Sequence, residues 1–221
     1  MIGEGSKLAQ KRKSPLSVVI LGDDLKGPIE ELSRYPIDRI YAVEAPELKN
    51  YLCGPYSKII AALAKQEKPE IILCGATANG RSFFPRVAGL LHTGLTADAT
   101  ELDIDPQKGH FHATRPAFGG NIMATIVCPK HRPQLATVRP KVLTPPPRGE
   151  VKDVETVHFN APADLLSSRV SVLETIIETV GSVSIADSQI IVAGGLGVGS
   201  QEGFKVLESL AEEIGGAIGS T

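Results

Sequence analysis

The chain reads as an α/β protein. It should form a three-layer α/β/α arrangement with a mainly parallel sheet and a few antiparallel strands, followed by the truncated start of a Rossmann-like nucleotide-binding unit. Three observations predict this. Short apolar, β-branched runs alternate with helical stripes through the first half of the chain. A period-two alternation takes over near Ala97. Near the end, the strand-like run Gln189–Ala193 leads into the glycine-rich turn Gly194–Gly199 and then a helical run.

Ser17–Leu21 is a buried-strand run, and Gly22-Asp-Asp24 follows it. Ile29 and Leu32 mark a short helix, and Asp38–Val43 a second strand. From Pro55 to Lys68 the apolar residues Ile59, Ile60, Leu63 and Ala64 make a helical stripe with Pro55 at its first position. Glu70–Cys74 is a third strand, closed by Gly75–Gly80. A helix from Arg81 to His92 is expected despite Pro85, because Val87, Leu90 and Leu91 share one side. This βαβα rhythm implies a parallel sheet with helices on both faces.

Thr100–Asp105 and His110–Thr114 alternate in period two, Asn121–Val127 less cleanly, and Gln134–Val138 is a further short candidate. All four are expected as antiparallel strands closing one edge. Thr93–Asp98 and Thr114–Asn121 are dense in turn formers, which fits loops that cap themselves or contact a neighbouring domain or cofactor. Thr144–Gly149 is a stiff proline-rich break. Val151, Val154, Val157 and Phe159 mark one more strand, and Arg169–Ile177 another. The domains are expected at 1–180 and 181–221, with the boundary between Glu178 and Ser188. Ile2–Lys13 reads as the latter part of a helix with no strand before it, so both ends look abbreviated.

Composition narrows the function. Of 221 residues, 42% are hydrophobic and 22% charged, as in soluble globular proteins. A net charge of −2 and a pI of 6.2 argue against a dedicated binder of nucleic acid or acidic membranes. Lys11-Arg12-Lys13, the only dense basic cluster, reads as a solvated helix end. No apolar run approaches the ~20 residues of a membrane span, and Met1–Ser6 has no signal-peptide core after it. Cys53, Cys74 and Cys128, odd in number and widely spaced, suit free thiols in a reducing cytoplasm.

The glycine turn carries the clearest chemistry. A glycine-rich strand-to-helix turn lets backbone N–H groups approach a phosphate, and the helix N-terminus favours its charge. Here the third glycine comes one residue too early for the dinucleotide spacing, and no phosphate-gripping lysine of the P-loop kind follows. A tight turn without a ligand stays open on pattern alone. Ser200 fits a helix N-cap; Phe204, Leu207, Leu210, Ala211 and Ile214 form the stripe to be buried; and Gly215-Gly216 stop the helix. His110 and His112 would share a strand face as surface histidines, with no further metal ligand forced beside them. Cys128 and His131 lack an orienting third group, and no self-contained catalytic centre is visible.

These runs together resemble the α subunit of electron transfer flavoprotein. The segments that carry the likeness are Gly75–Ser82, Pro85–Val87, Thr93–Asp98, Thr114–Ala124 and Gly194–Gly197 with its helix, and it extends over nearly the whole chain. Arg132–Pro140 is similar to α subunits of anaerobic bacteria, some of which take part in electron bifurcation. The resemblance implies an α/β heterodimer with a β subunit. It implies an N-terminal scaffold similar to adenine-nucleotide hydrolase folds that is not itself a nucleotide binder. It also implies a C-terminal FAD-binding domain that shuttles electrons between acyl-CoA or other dehydrogenases and an acceptor such as a quinone oxidoreductase. Gly194, Gly195, Leu196 and Gly197 would then lie near the FAD phosphates, and Thr221 would match a Ser/Thr that contacts the flavin region.

Three departures accompany the likeness. Leu196 stands where family members usually carry Arg, and an alkyl side chain cannot replace a charge-assisted contact to phosphate. The later flavin motifs and about two dozen opening residues are missing, so the chain is expected to be a fragment that does not hold FAD alone. Three other classes remain for comparison. One is a structural docking fragment without redox chemistry. Another is an adenine-nucleotide enzyme of the ATP-pyrophosphatase type, which needs a Ser-Gly-Gly-x-Asp-Ser type loop absent here. The last, weaker still, is an NAD-linked dehydrogenase.

Overall fold

A computed structural model describes residues 1–176, 185 and 188–221. They fall into two compact units, Met1–Val172 and Leu173–Thr221. The boundary expected between Glu178 and Ser188 lies largely outside the described residues.

The first unit opens with helix α1 (Ile2–Arg12) and strand β1 (Ser17–Gly22), then α2 (Lys26–Leu32) and β2 (Arg39–Glu44). Next come α3 (Cys53–Glu67), β3 (Ile71–Gly75), α4 (Ala78–Leu91) and β4 (Leu95–Ala99). Strands β5 (Glu101–Ile104), β6 (Phe111–Ala117), β7 (Ile122–Val127) and β8 (Gln134–Val138) follow, with β9 (Glu155–His158) and the short α5 (Ala163–Leu166) last. Strands β1, β2 and β9 form a parallel sheet in the order β1-β2-β9; β3, β8 and β4 form another, in the order β3-β8-β4. Strands β5, β6 and β7 form an antiparallel meander.

Strand β8 explains the layering. All five of its residues are buried, and side chains alternate across a strand. Leu135 joins Ile60 of α3 and Phe84, Val87 and Ala88 of α4 in one core. Its neighbour Ala136, with Val138, joins a second core built from Leu8 of α1, Ala99, Leu102, Ile104, Phe111 and Ala113. One face of the sheet is thus roofed by α3 and α4, the other by α1 and the antiparallel strands.

Several expectations are corrected by this arrangement. Gln134–Val138 is a central parallel strand rather than an antiparallel edge; burial on both faces erases the polar half of the alternation. Thr93–Asp98 is largely strand, with a register shift between Thr96 and Ala99 and Asp98 at φ +61°. Pro55 is the third helical residue, because α3 starts at Cys53. Helix α4 starts at Ala78, where Thr77 caps it by accepting from the Gly80 N–H at 3.2 Å. Residues 169–176 form no strand and are exposed, and Ile177 lies outside the described residues. His110 precedes β6, so only His112 lies on the strand. Lys11 and Arg12 are not merely solvated. Lys11 pairs with Asp103, and Arg12 donates to the Gly109 carbonyl at 2.5 Å and to Glu70 at 3.2 Å.

In the second unit β10 (Ile191–Gly194), α6 (Gln201–Glu213) and β11 (Ala217–Ser220) form a βαβ element, with β10 and β11 parallel. The strand β11 was not expected: Gly215, at φ +64°, ends the helix and the chain turns back into the sheet. Of the predicted helix stripe only Ala211 is buried; Phe204 and Leu207 are half-buried, and Leu210 and Ile214 are exposed. Among the described residues no helix is long and apolar enough to cross a membrane.

Candidate functional site

The glycine turn occupies the C-terminal end of β10. Each of its glycines answers a different demand. A Cβ on Gly194 would lie 2.6 Å from Leu207 Cδ1 and 2.8 Å from Val198 Cγ2, so this glycine lets α6 pack against the strand. Gly203, in the first turn of α6, lets the helix close against the preceding turn: its Cβ would lie 2.6 Å from the Val198 carbonyl oxygen. Gly199 is at φ +76°, the left-handed region that other residues adopt at a cost. Gly197 has nothing within 4 Å of where a Cβ would project.

Leu196–Val198 make a short 3₁₀ turn, and Ser200 then caps α6 by accepting from the Gly203 N–H at 3.2 Å. Leu196 is 97% exposed and contributes no charge. The groove beside the turn, about 560 Å³, is lined by Gly195, Leu196, Gly199, Ser200, Phe204 and Lys205, among others. Lys205 and Glu208 place one cation and one carboxylate on its wall. The parallel register pairs Gly194 with Ser220, which brings the next residue, Thr221, to the turn. There its N–H donates to the Gly194 carbonyl at 3.1 Å.

The structure therefore gathers Gly194, Gly195, Leu196, Gly197 and Thr221 at one end of the β10–β11 pair. The sequence reading did not identify Gly203, Lys205 or β11. A small residue one turn into the helix, and the apolar pair Ala217-Ile218 after two glycines, were the available signals. Chemically the site offers the positive end of a 13-residue helix and one lysine, with Glu202 in the helix's first turn and Glu208 on the groove wall as the opposing carboxylates. That donor set fits the diphosphate of a dinucleotide cofactor such as FAD.

A second polar cluster lies at the C-terminal ends of β3, β8 and β4. Asp98 Oδ2 accepts from Arg139 Nη2 at 2.7 Å, and Oδ1 accepts from Arg81 Nη2 at 3.2 Å. The buried Thr137 hydroxyl accepts the Asp98 backbone N–H at 2.9 Å, which secures the left-handed residue. The hydrogen bond from Arg139 holds the Asp98 carboxyl below the usual carboxylate range, against the opposing effect of burial. Arg115 adds positive charge nearby.

All three cysteines are free thiols. Burial pushes the Cys74 thiol up to about 11. Burial also acts to raise Cys53, but hydrogen bonds from Ser82 and Ser57 and the charge of Arg86 outweigh it and lower the thiol. Cys128 meets the His131 carbonyl rather than its imidazole. Among the described residues no group of three or more His, Cys, Asp or Glu could hold a metal ion.

The chain matches two family models: the electron transfer flavoprotein domain over residues 1–164 and the electron transfer flavoprotein FAD-binding domain over residues 184–221. It is 42% identical over 221 residues to an electron transfer flavoprotein subunit alpha of Thermoanaerobacterium thermosaccharolyticum, covering all of this chain and 67% of that protein. It is 44% identical to protein FixB of Clostridium saccharobutylicum, covering 99% of this chain and 65% of that one. The LctC subunit of lactate dehydrogenase (NAD(+),ferredoxin) from Acetobacterium woodii is 37% identical, over all of this chain and 52% of LctC. The chain spans about two-thirds of the length of the first two relatives and half that of the third.

Proposed function

The chain belongs to the electron transfer flavoprotein α-subunit family, and from that premise we propose that it serves an electron carrier working through FAD as one half of an α/β heterodimer. Its first unit is the scaffold, and residues 181–221 begin the FAD-binding domain. The carrier passes electrons between dehydrogenases, acyl-CoA dehydrogenase among them, and a downstream acceptor, and it catalyses no reaction of its own. Its place of work is the cytoplasm.

One observation carries this reading. Gly194, Gly195, Leu196, Gly197 and Thr221 meet at a single strand end, inside the stretch that matches the FAD-binding domain. FAD, when bound, supplies the electron-accepting and electron-donating chemistry. The backbone of Gly197 and the first turn of α6 would receive the diphosphate, Gly199 and Ser200 hold the turn in shape, and Lys205 would add charge. Leu196 adds no such charge, so FAD would be held here without a guanidinium at this position.

Two measurements test the reading. The chain mixed with an electron transfer flavoprotein β subunit should form a complex at micromolar concentration, and absence of association overturns the heterodimer. Titration of that complex with FAD should shift the backbone amide resonances of Gly195, Gly197 and the first turn of α6. Shifts confined to other segments overturn the assignment of the turn.

A further inference from the structure

The two units are contiguous stretches of one chain, so a single segment, the one after α5, joins them. Residues 167–176 are all exposed and form neither helix nor strand. The last point at which the first unit grips this segment therefore sets where, and in which direction, the chain leaves it.

Apolar packing carries the chain as far as α5. Leu165 and Leu166 lie half-buried against the core residues Val43, Leu48 and Ile59. Ile59 belongs to α3 and is fully buried. The residue before it, Lys58, reaches the chain just past α5.

There the Lys58 ammonium donates to the Asp164 carbonyl at 2.7 Å, the Ser167 carbonyl at 2.9 Å and the Ser167 hydroxyl at 3.0 Å. An ammonium has three N–H groups, and three acceptors meet them. Asp164 lies in the single turn of α5 and Ser167 is its C-cap, where helix carbonyls have no intrahelical donor. Ser167 is held in two further ways. Its N–H donates to the Ala163 carbonyl at 3.0 Å, and its hydroxyl to the Asp164 carbonyl at 2.8 Å. Past this point the Val170 N–H bonds the Ser168 hydroxyl at 3.1 Å, within the segment itself. A surface lysine gives up much rotamer freedom to hold one geometry. Lys58 gives it up to residues 106 and 109 positions away in the chain, at the place where the first unit ends.

We propose that Lys58 is a clamp that fixes the exit of the chain from the first unit, so that the joining segment starts at Ser168. Leu165 and Leu166 hold α5 from beneath, and the ammonium closes its end where apolar contact stops. The clamp works whatever the second unit binds, so it stands apart from the FAD reading.

Hydrogen exchange of the 221-residue protein, read by mass spectrometry, tests the clamp. Lys58→Met keeps an aliphatic stem and removes the donors. Lys58 is half-buried on the surface of α3, so the variant should fold; its melt is compared with wild type. The amides of residues 165–167 should exchange about tenfold faster, as loss of a hydrogen bond to a charged group implies, while α3 keeps its protection. Trypsin should cut after Arg169 correspondingly sooner. Ser167→Ala removes one of the three acceptors and should give a smaller increase. The double variant should fall short of the product of the two, because both act through one contact. Lys65→Met, in the last turn of the same helix, should leave residues 165–167 as they are in the wild type. Wild-type exchange and cleavage in Lys58→Met overturn the clamp and leave the two leucines as the hold on α5. Effects that multiply in the double variant overturn the direct contact. Protection lost along all of α3 overturns the clamp as well, since the lysine would then support its own helix rather than the exit.

Discussion

The Oγ1 of Thr221 lies 2.6 Å from the point where a Cβ on Gly195 would project. The hydroxyl fills the space that the glycine leaves, so the end of β11 and the turn after β10 share one set of contacts. Only the far end of the Thr221 side chain is involved, since its own Cβ is 3.9 Å from that point.

Gly195→Ala should therefore be cheap for the fold and costly for a ligand. A rotation about the Thr221 side-chain bond relieves the overlap at a cost of about 0.5–1.5 kcal/mol, but it carries the hydroxyl elsewhere. Urea melts should show at most that loss, while FAD-induced shifts at the turn diminish. A larger loss of stability would mean that the backbone, rather than the hydroxyl, gives way.

Gly194→Ala should behave in the opposite way. Its methyl would meet Leu207, Val198 and Phe204 at once, at 2.6–3.2 Å, and no single side chain can step aside. Overpacking of this kind costs about 1–3 kcal/mol. The expected outcome is a lower urea midpoint for the second unit, and an unchanged midpoint would count against the packing role.

Asp98 makes stability depend on acid. Its native carboxyl is held low chiefly by the Arg139 hydrogen bond, so the carboxylate contributes stability above the unfolded-chain value of about 3.9. That contribution disappears as pH falls through the lower native value. Asp98→Asn, which suits the left-handed backbone, should melt earlier than wild type at neutral pH. The gap between the two should close as pH falls through and below the lowered native value. A gap independent of pH would exclude the charge as its cause.

Cys53 and Cys74 should differ in reactivity. Burial raises Cys74 to about 11, while Ser82, Ser57 and Arg86 bring Cys53 below the ordinary thiol value despite its own burial. The thiolate is the nucleophile. Timed alkylation near neutral pH, read by peptide mass spectrometry, should label Cys53 well ahead of Cys74. Equal rates would show that access rather than ionisation governs both.

How much of this was legible in the sequence varies with the element. Strands β1, β2 and β3 and helices α3 and α4 were readable because their apolar periodicity is set by burial on a recognisable face. Strand β8 was readable as a strand but not as a central one, since its complete burial removes the alternation that would reveal its neighbours. Strand β4 hid behind Thr93–Asp98, whose turn formers answer to a bulge and a left-handed Asp98 within a strand. The glycine turn was found by pattern, but the pattern did not separate Gly194 and Gly203, which serve packing, from Gly197, which faces open space.

The sequence by itself determined the α/β class, most of the strand and helix positions, and the family to which the chain belongs. Those follow from local periodicity and from motifs whose residues are neighbours in the chain. The tertiary structure alone decided that Thr221 reaches the glycine turn and that Arg81 and Arg139 converge on Asp98. Each depends on strand order and register between distant segments, and pairing energies of that kind leave no periodic trace in a single sequence.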